Sequence, residues 1–335
     1  MLWIWIAFFA LIFALLALDL GVLNRKAHVI GVKEALLWTA FWVVLALLFN
    51  VAVYYIYEHD WGGIGHWWGT KVTSGREAAM IFFSGYLLEK SLSMDNIFVI
   101  ALIFTYFHVP RQHQHRTLFW GIVGALVLRG AMIWGGTALI HYFTWIMYVF
   151  GAILVFTGLK MLRGTEEKVE PDKNPLVRLA RRFYPVSPAF EGQRFFTHLD
   201  GRRAITPLFL VLLVVESTDV VFAVDSIPAI FGLTQDPFLV MTSNVFAILG
   251  LRSLFFALAA IMGKFHYLKV GLVVVLIFIG VKMILACETY SIYKISTPVS
   301  LGVVVGVLAV SVVASLLWAR QAHPQGEGGP DHPAS

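Results

Sequence analysis

The sequence predicts an all-α polytopic membrane protein with about nine transmembrane helices, six of them forming an inverted three-plus-three helix repeat. Three observations carry this prediction: the composition, the spacing of the apolar stretches, and a polar signature that occurs twice. Of 335 residues, 59% are hydrophobic and 13% charged, with a mean hydropathy of +0.78. A soluble domain carries roughly 25% charged residues, so this chain needs lipid around it.

Nine stretches approach the ~20 apolar residues that span a bilayer as helix. The first, Leu2–Leu23, has no basic residue ahead of it and no clear small-residue cleavage site, so it reads as an uncleaved span. With Glu34–Tyr57 it fills an N-terminal region, residues 1–77. Ala78–Phe107, Thr117–His141 and Thr144–Leu162 form a first three-helix unit (78–162), and Ala204–Phe231, Pro237–Met262 and Leu268–Cys287 a second (204–287). Pro298–Trp318 is the last span, within 288–321, and the Gly- and Pro-rich tail 322–335 reads as disordered. Alternation of period two is absent, which argues against strands in the membrane.

Lysine and arginine placement sets the orientation, because basic loops stay cytoplasmic. Alternate loops hold Arg25, Lys26 and Lys33, then Arg111 and Arg116, then the basic connection 163–203, then Lys264 and Lys269. The opposite loops offer Lys71, Arg76 and Lys294. Nine spans then place the N-terminus outside and the C-terminus in the cytoplasm. Topology and anionic lipid explain the basic pI of about 9.3, and nucleic-acid binding is not called for.

The repeat rests on three coincidences. Ser93-Met-Asp95-Asn-Ile-Phe98 matches Ser217-Thr-Asp219-Val-Val-Phe222 at an offset of 124 residues, Leu128-Arg129-Gly130 matches Leu251-Arg252-Ser253 at 123, and Gly158-Leu-Lys160-Met161 matches Gly280-Val-Lys282-Met283 at 122. Units of three spans enter the membrane from opposite sides, an architecture of secondary transporters with sites near the midplane.

The groups expected at that depth are five carboxylates, Glu89, Asp95, Glu216, Asp219 and Asp225, against two arginines, Arg129 and Arg252. Charges at membrane depth must pair or face water and usually mark an ion or proton path. An acidic excess implies that something positive visits. The other donors are Asn96, Asn244 and the hydroxyls of Ser93, Ser217, Thr218 and Ser226, with no cysteine or histidine among them. Such oxygens suit hard divalent ions, Mn²⁺, Mg²⁺ or Ca²⁺. At about 100° per residue, Glu216 and Asp219 share a face, and Asp225 lies about 120° from Asp219. Pro228 offers a way to unwind Val224–Ser226 and bring Asp225 inward. Glu89, Ser93 and Asn96 share a face, with Asp95 about 120° from Glu89, so either acid can engage an arginine. The arginines either hold the acids ionised or compete with the cation for them. Protons taken up by the acids would make the cycle a cation/proton antiport.

Several features rank lower. Asp19 is an entry ligand or an interfacial acid. His113 and His115 read as solvated loop residues, Lys160 and Lys282 as side chains snorkelling to headgroups, and Trp61–Trp68 as an interfacial belt. Lys90 needs a partner or a watery space. In the central connection, Pro175–Phe183 reads as a basic amphipathic helix on the membrane surface and Phe195–Arg203 as a hairpin around Asp200-Gly201. No G-x-x-x-x-G-K-[ST] motif is present, which argues against an ATP-driven pump. Cys287 is the lone cysteine, so no internal disulfide framework is expected; the chain reads as a non-enzyme without a resident cofactor.

Three runs, Glu89–Val99, Val215–Ile230 and Thr242–Arg252, resemble the integral-membrane TerC family, and within it the Alx-like members. The likeness runs from Asp19 to the ninth span. It implies a Mn²⁺ exporter with Glu89, Asp95, Asn96, Glu216, Asp219 and Asp225 as metal sites, and Ser93, Arg129, Asn244 and Arg252 in support. Mn²⁺ is then transported substrate, and metal ion, protons and the bilayer are the partners. The alternatives are a non-transporting scaffold, a stress or tellurite-resistance factor, and a channel. Tellurite is an anion that an acidic cluster should repel.

Overall fold

A computed structural model describes residues 2–21, 31–64, 72, 74–163, 174–199, 201–259, 268–286 and 295–321. The helices are α1 (Leu2–Gly21), α2 (Val32–Glu58), α3 (Gly75–Tyr106), α4 (Arg111–Tyr142), α5 (Ile146–Leu162), α6 (Pro175–Phe183), α7 (Pro207–Phe231), α8 (Pro237–Ile248), α9 (Leu251–Ala259), α10 (Leu268–Ala286) and α11 (Thr297–Gln321). Strands β1 (Phe196–Leu199) and β2 (Arg202–Ile205) pair antiparallel with Leu199 opposite Arg202, the hairpin expected in the connection. Arg25, Lys26, Lys71, Lys264, Cys287, Lys294, Asp200, the Trp67-Trp68 end of the aromatic segment, the tail and the side chain of Asp19 lie outside the described residues.

The bundle is organised around α8, all twelve of whose residues are buried. A helix apolar all round belongs in the centre of a large protein or a membrane bundle. Helices α2, α3 and α4 pack on it. An aromatic ladder joins them to α1: Trp5 meets Phe238 edge-on at 5.3 Å, and Phe49 stacks on Phe246 at 4.3 Å. Asp236 caps α8 by accepting from the amides of Phe238 and Leu239, while its other oxygen accepts from the Tyr57 hydroxyl at 2.8 Å. That contact fixes the end of α2 to the start of α8. Helices α5 and α10 form a second close pair, in which a Cβ at Gly280 would lie 2.7 Å from the Gly151 carbonyl oxygen. Small residues allow such backbone approach where no hydrophobic force acts between helices.

The expectation of nine spans with an inverted three-plus-three repeat is corrected. Among the described residues, five helices are long and apolar enough to cross a membrane: Val32–Glu58, Arg111–Tyr142, Pro207–Phe231, Pro237–Ala257 and Thr297–Ser315. Leu2–Leu18 and Ile146–Leu162 are apolar but shorter. Helix α3 has the length, but Arg76, Glu77, Glu89, Lys90 and Asp95 all fall within it. The repeat fails at the positions that were to match. Helix α4 runs unbroken through Arg129, whereas the stretch carrying Arg252 breaks between α8 and α9. At the break Gly250 has φ +79°, and a Cβ there would meet the Trp42 ring at 2.6 Å. Asp219 is paired with Arg129, whereas its supposed counterpart Asp95 lies on the wall of a cavity. The recurring acids and arginines therefore do different jobs, although Gly158 and Gly280 both sit at the close α5–α10 contact.

Two further expectations change. Helix α7 is continuous through Pro228, so no turn unwinds near Asp225. His113 and His115 are not loop residues. They sit in the opening turns of α4, where their rings stack near Phe190 and Phe256. Two apart on a helix, they point in nearly opposite directions.

Candidate transmembrane acidic site

The centre of the site is Arg129 of α4, 2% exposed. Its guanidinium takes Asp219 of α7 in a two-pronged grip, Nε to Oδ2 at 3.0 Å and Nη2 to Oδ1 at 2.8 Å. Nη1 is paired with Glu89 of α3 and also donates to the Ser226 hydroxyl at 3.3 Å. Asn244 of α8 donates to the other Glu89 oxygen at 3.4 Å. Four helices thus meet on one cation. Planar bidentate pairing is what distinguishes arginine from lysine in such a place, and fully buried Glu89 and half-buried Asp219 share its single positive charge, which leaves the trio one negative charge in excess when both acids are ionised.

Lys90, next to Glu89, has a different task. Its ammonium donates to the carbonyl of Ala247 at 3.2 Å, in the last turn of α8. The α8–α9 break removes the amide that would continue the ladder there, so the lysine satisfies an orphan carbonyl at the negative end of the helix.

Glu216 lies one turn before Asp219, and both face α4. The Glu216 carboxylate packs against the backbone at Gly124, where a Cβ would collide with it. Its Oε2 is buried without a hydrogen-bond partner among the described residues, as is Oδ1 of Asn244. Ser217, on the next face, accepts at 2.5 Å from Asn174, the residue that caps α6.

Three further predicted residues, Asp95, Asn96 and Asp225, line a cavity of about 1050 Å³ between α3, α5, α7 and α10, with Ser226 also on its wall. Asp225 reaches it from a continuous helix, because the ~120° between Asp219 and Asp225 turns one toward Arg129 and the other toward the cavity. Thr157 of α5 donates to Asp225 Oδ1 at 2.8 Å. Ser226 touches both regions, lining the cavity while accepting from Arg129. Thr105 and Tyr106, Lys160 and Met161, and Lys269 mark the end of the cavity where α3 and α5 finish and α10 begins.

The ten predicted residues therefore separate. Glu89, Asp219, Arg129 and Asn244 form the ion-pair network, and Asp95, Asn96 and Asp225 the cavity wall. Glu216 stands beside the network, Ser93 is buried in α3, and Arg252 is buried at the start of α9. Among the described residues no three of His, Cys, Asp or Glu converge closely enough to hold a metal ion. Sequence reasoning missed Thr157, Lys160 and Lys269 as cavity residues. The signal for the first two was present, since Thr157 and Lys160 are three apart and share a face of an otherwise apolar helix.

Comparison with known proteins gives the same family as the residues do. Residues 74–323 match the integral membrane protein TerC family. An uncharacterized membrane protein of Myxococcus xanthus is 50% identical over 95% of this chain and 93% of its own length. Proteins described as a putative membrane-bound redox modulator, Alx, are 44% identical in Salmonella typhi (92% of each chain) and 43% in Escherichia coli K12 (97% and 98%). No solved structure matches. The chain is a multi-pass membrane protein that covers nearly the full length of these relatives, and it belongs to the TerC family.

Proposed function

We propose that the protein is a secondary transporter that exports hard divalent cations, Mn²⁺ first among them, by alternating access through the cavity bounded by α3, α5, α7 and α10. One observation carries this reading: Asp95, Asn96, Asp225 and Ser226 share a cavity of about 1050 Å³. Two carboxylates, an amide and a hydroxyl supply the oxygen donors that Mn²⁺, Mg²⁺ and Ca²⁺ accept. The space leaves room for coordinated water, which completes the shell of an ion held by few protein ligands. Thr157 orients Asp225 as an outer-shell partner. Glu89 and Asp219, locked to Arg129, set the frame in which the cavity acids stand. Protons are the natural counter-substrate, since a buried acid that releases a cation must otherwise hold an uncompensated charge.

A second reading is favoured by the description that the relatives carry. A membrane-bound redox or stress modulator would need no transported metal, and its acids would serve structure alone.

The two readings part in reconstituted vesicles. Wild-type protein should take up Mn²⁺ saturably and in response to a pH gradient. Asp95→Asn and Asp225→Asn should abolish uptake, and Thr157→Val should weaken apparent metal affinity by about 10–100-fold. If no metal moves with wild-type protein, under conditions in which a proven transporter works, the modulator reading replaces this one.

A further inference from the structure

We propose that α6 and the hairpin behind it form a platform that binds anionic phospholipid, seating its apolar face in the leaflet beside α7. Leu176, Leu179 and Phe183 are 41%, 53% and 70% exposed, and their spacing places them within an arc of about 60°. Arg178 and Arg182 are exposed one turn apart on another side of the helix, about 120° round from the centre of that arc. Between Pro175 and Ile205 six arginines stand against Glu191 and Asp200, and the Glu191 carboxylate accepts from Thr197. An apolar arc flanked by arginines is the pattern of a helix lying in the membrane interface. Guanidinium forks match phosphate oxygens, which selects an anionic headgroup over a zwitterionic one.

This helix is fixed at both ends, so its open face is not the result of slack attachment. At its start, Asn174 caps the first turn with Oδ1 and donates from Nδ2 to Ser217 of α7 at 2.5 Å. Ser217 is ten residues into α7, roughly 15 Å along its axis. Val177 is fully buried in the cluster that holds Leu208, Val211 and Val214 of α7. Beyond its end, Ser187 donates to the Ile205 carbonyl at 2.8 Å and Ile205 to the Pro185 carbonyl at 2.9 Å, joining the segment to β2. The hairpin adds exposed Arg202 and Arg203 beside Phe196, itself 54% exposed. The anchored side of α6 faces a membrane-spanning helix, and the face left over carries lipid-compatible chemistry.

The test uses the full chain with a nitroxide at Leu179→Cys in a Cys287→Ser background, in nanodiscs of phosphatidylcholine with or without phosphatidylglycerol. Collision with oxygen reports lipid, and collision with a water-soluble nickel chelate reports solvent. With phosphatidylglycerol the label should favour oxygen. That preference should fall in pure phosphatidylcholine, and likewise in the Arg178→Gln, Arg182→Gln variant. Nickel access in both lipids would overturn the proposal by placing the face in water. An oxygen preference indifferent to lipid charge and to both arginines would overturn the recognition of anionic headgroups. Shielding from both probes would assign the face to a second copy or another protein. The lipid comparison on the labelled parent stands alone should the arginine variant fail to fold. No metal flux enters the readout, so its outcome is separate from that of the transport reading.

Discussion

Arg129 holds two carboxylates from two other helices, and the sequence contains no sign that one residue would serve both. Glu89 and Asp219 are each visible as acids in apolar runs, but which acid meets which arginine depends on side-chain direction at a helix crossing. Spacing settled only part of it: the ~120° between Asp219 and Asp225 is legible, and it sends one acid to the arginine and the other to the cavity. Lys90 illustrates what local sequence omits, since the carbonyl it satisfies exists only because α8 ends at Ile248. A consequence follows for Arg129→Gln. Removing one partner of a buried ion network costs about 3–5 kcal/mol, because the remaining charge is left uncompensated. The variant should insert into the membrane but melt well below wild type in detergent, read by a thermal unfolding assay. Adding Glu89→Gln and Asp219→Asn to it should recover most of the loss, since neutral amides leave no stranded charge. A triple variant no more stable than Arg129→Gln would mean that the arginine acts through packing and not through charge.

At the scale of elements, helix type was readable almost everywhere because the apolar stretches are long, and the hairpin was readable from Asp200-Gly201. The break between α8 and α9 was not. A single glycine inside an apolar stretch is compatible with a continuous helix, and only the nearby Trp42 ring and the positive φ of Gly250 reveal its role. The three-plus-three repeat failed for the same reason: matching residue types do not guarantee matching backbone. The break can be tested. Gly250→Ala requires a left-handed residue with a Cβ, costing about 1–2 kcal/mol, and forces the Cβ into the Trp42 ring, an overpacking of about 1–3 kcal/mol more. Gly306→Ala in α11 is the control, because no atom lies within 4 Å of the added methyl. Its thermal midpoint should stay at or slightly above that of wild type, while that of Gly250→Ala falls. Equal midpoints for the two variants would show that the chain relaxes around position 250 and that the break does not depend on glycine.

Across the whole molecule, charge and shape agree on one polarity. The cavity ends where α3 and α5 finish and α10 begins, with Lys160 and Lys269 on its wall there. Basic α6 and the hairpin follow α5 in the chain and lead into α7. Lysine and arginine concentrate in loops on the cytoplasmic side of membrane proteins, so the distribution predicts a cavity that opens to the cytoplasm. An exporter collects its cargo from that side. Leu92 and Thr105 line the cavity from the same helix, about 20 Å apart along its axis, whereas Leu88 is fully buried away from it. Introduced singly as cysteines in a Cys287→Ser background, they give a depth series for a membrane-impermeant maleimide. In inverted vesicles Thr105→Cys should label fastest, Leu92→Cys more slowly but completely, and Leu88→Cys hardly at all. In intact spheroplasts none of the three should label at a comparable rate. Labelling of Leu92→Cys from the outside, with Thr105→Cys silent there, would mean that the cavity opens the other way and would reverse the assignment of α6 to the cytoplasmic leaflet. Equal labelling from both sides would describe an open pore, which a carrier with one side closed at a time cannot be.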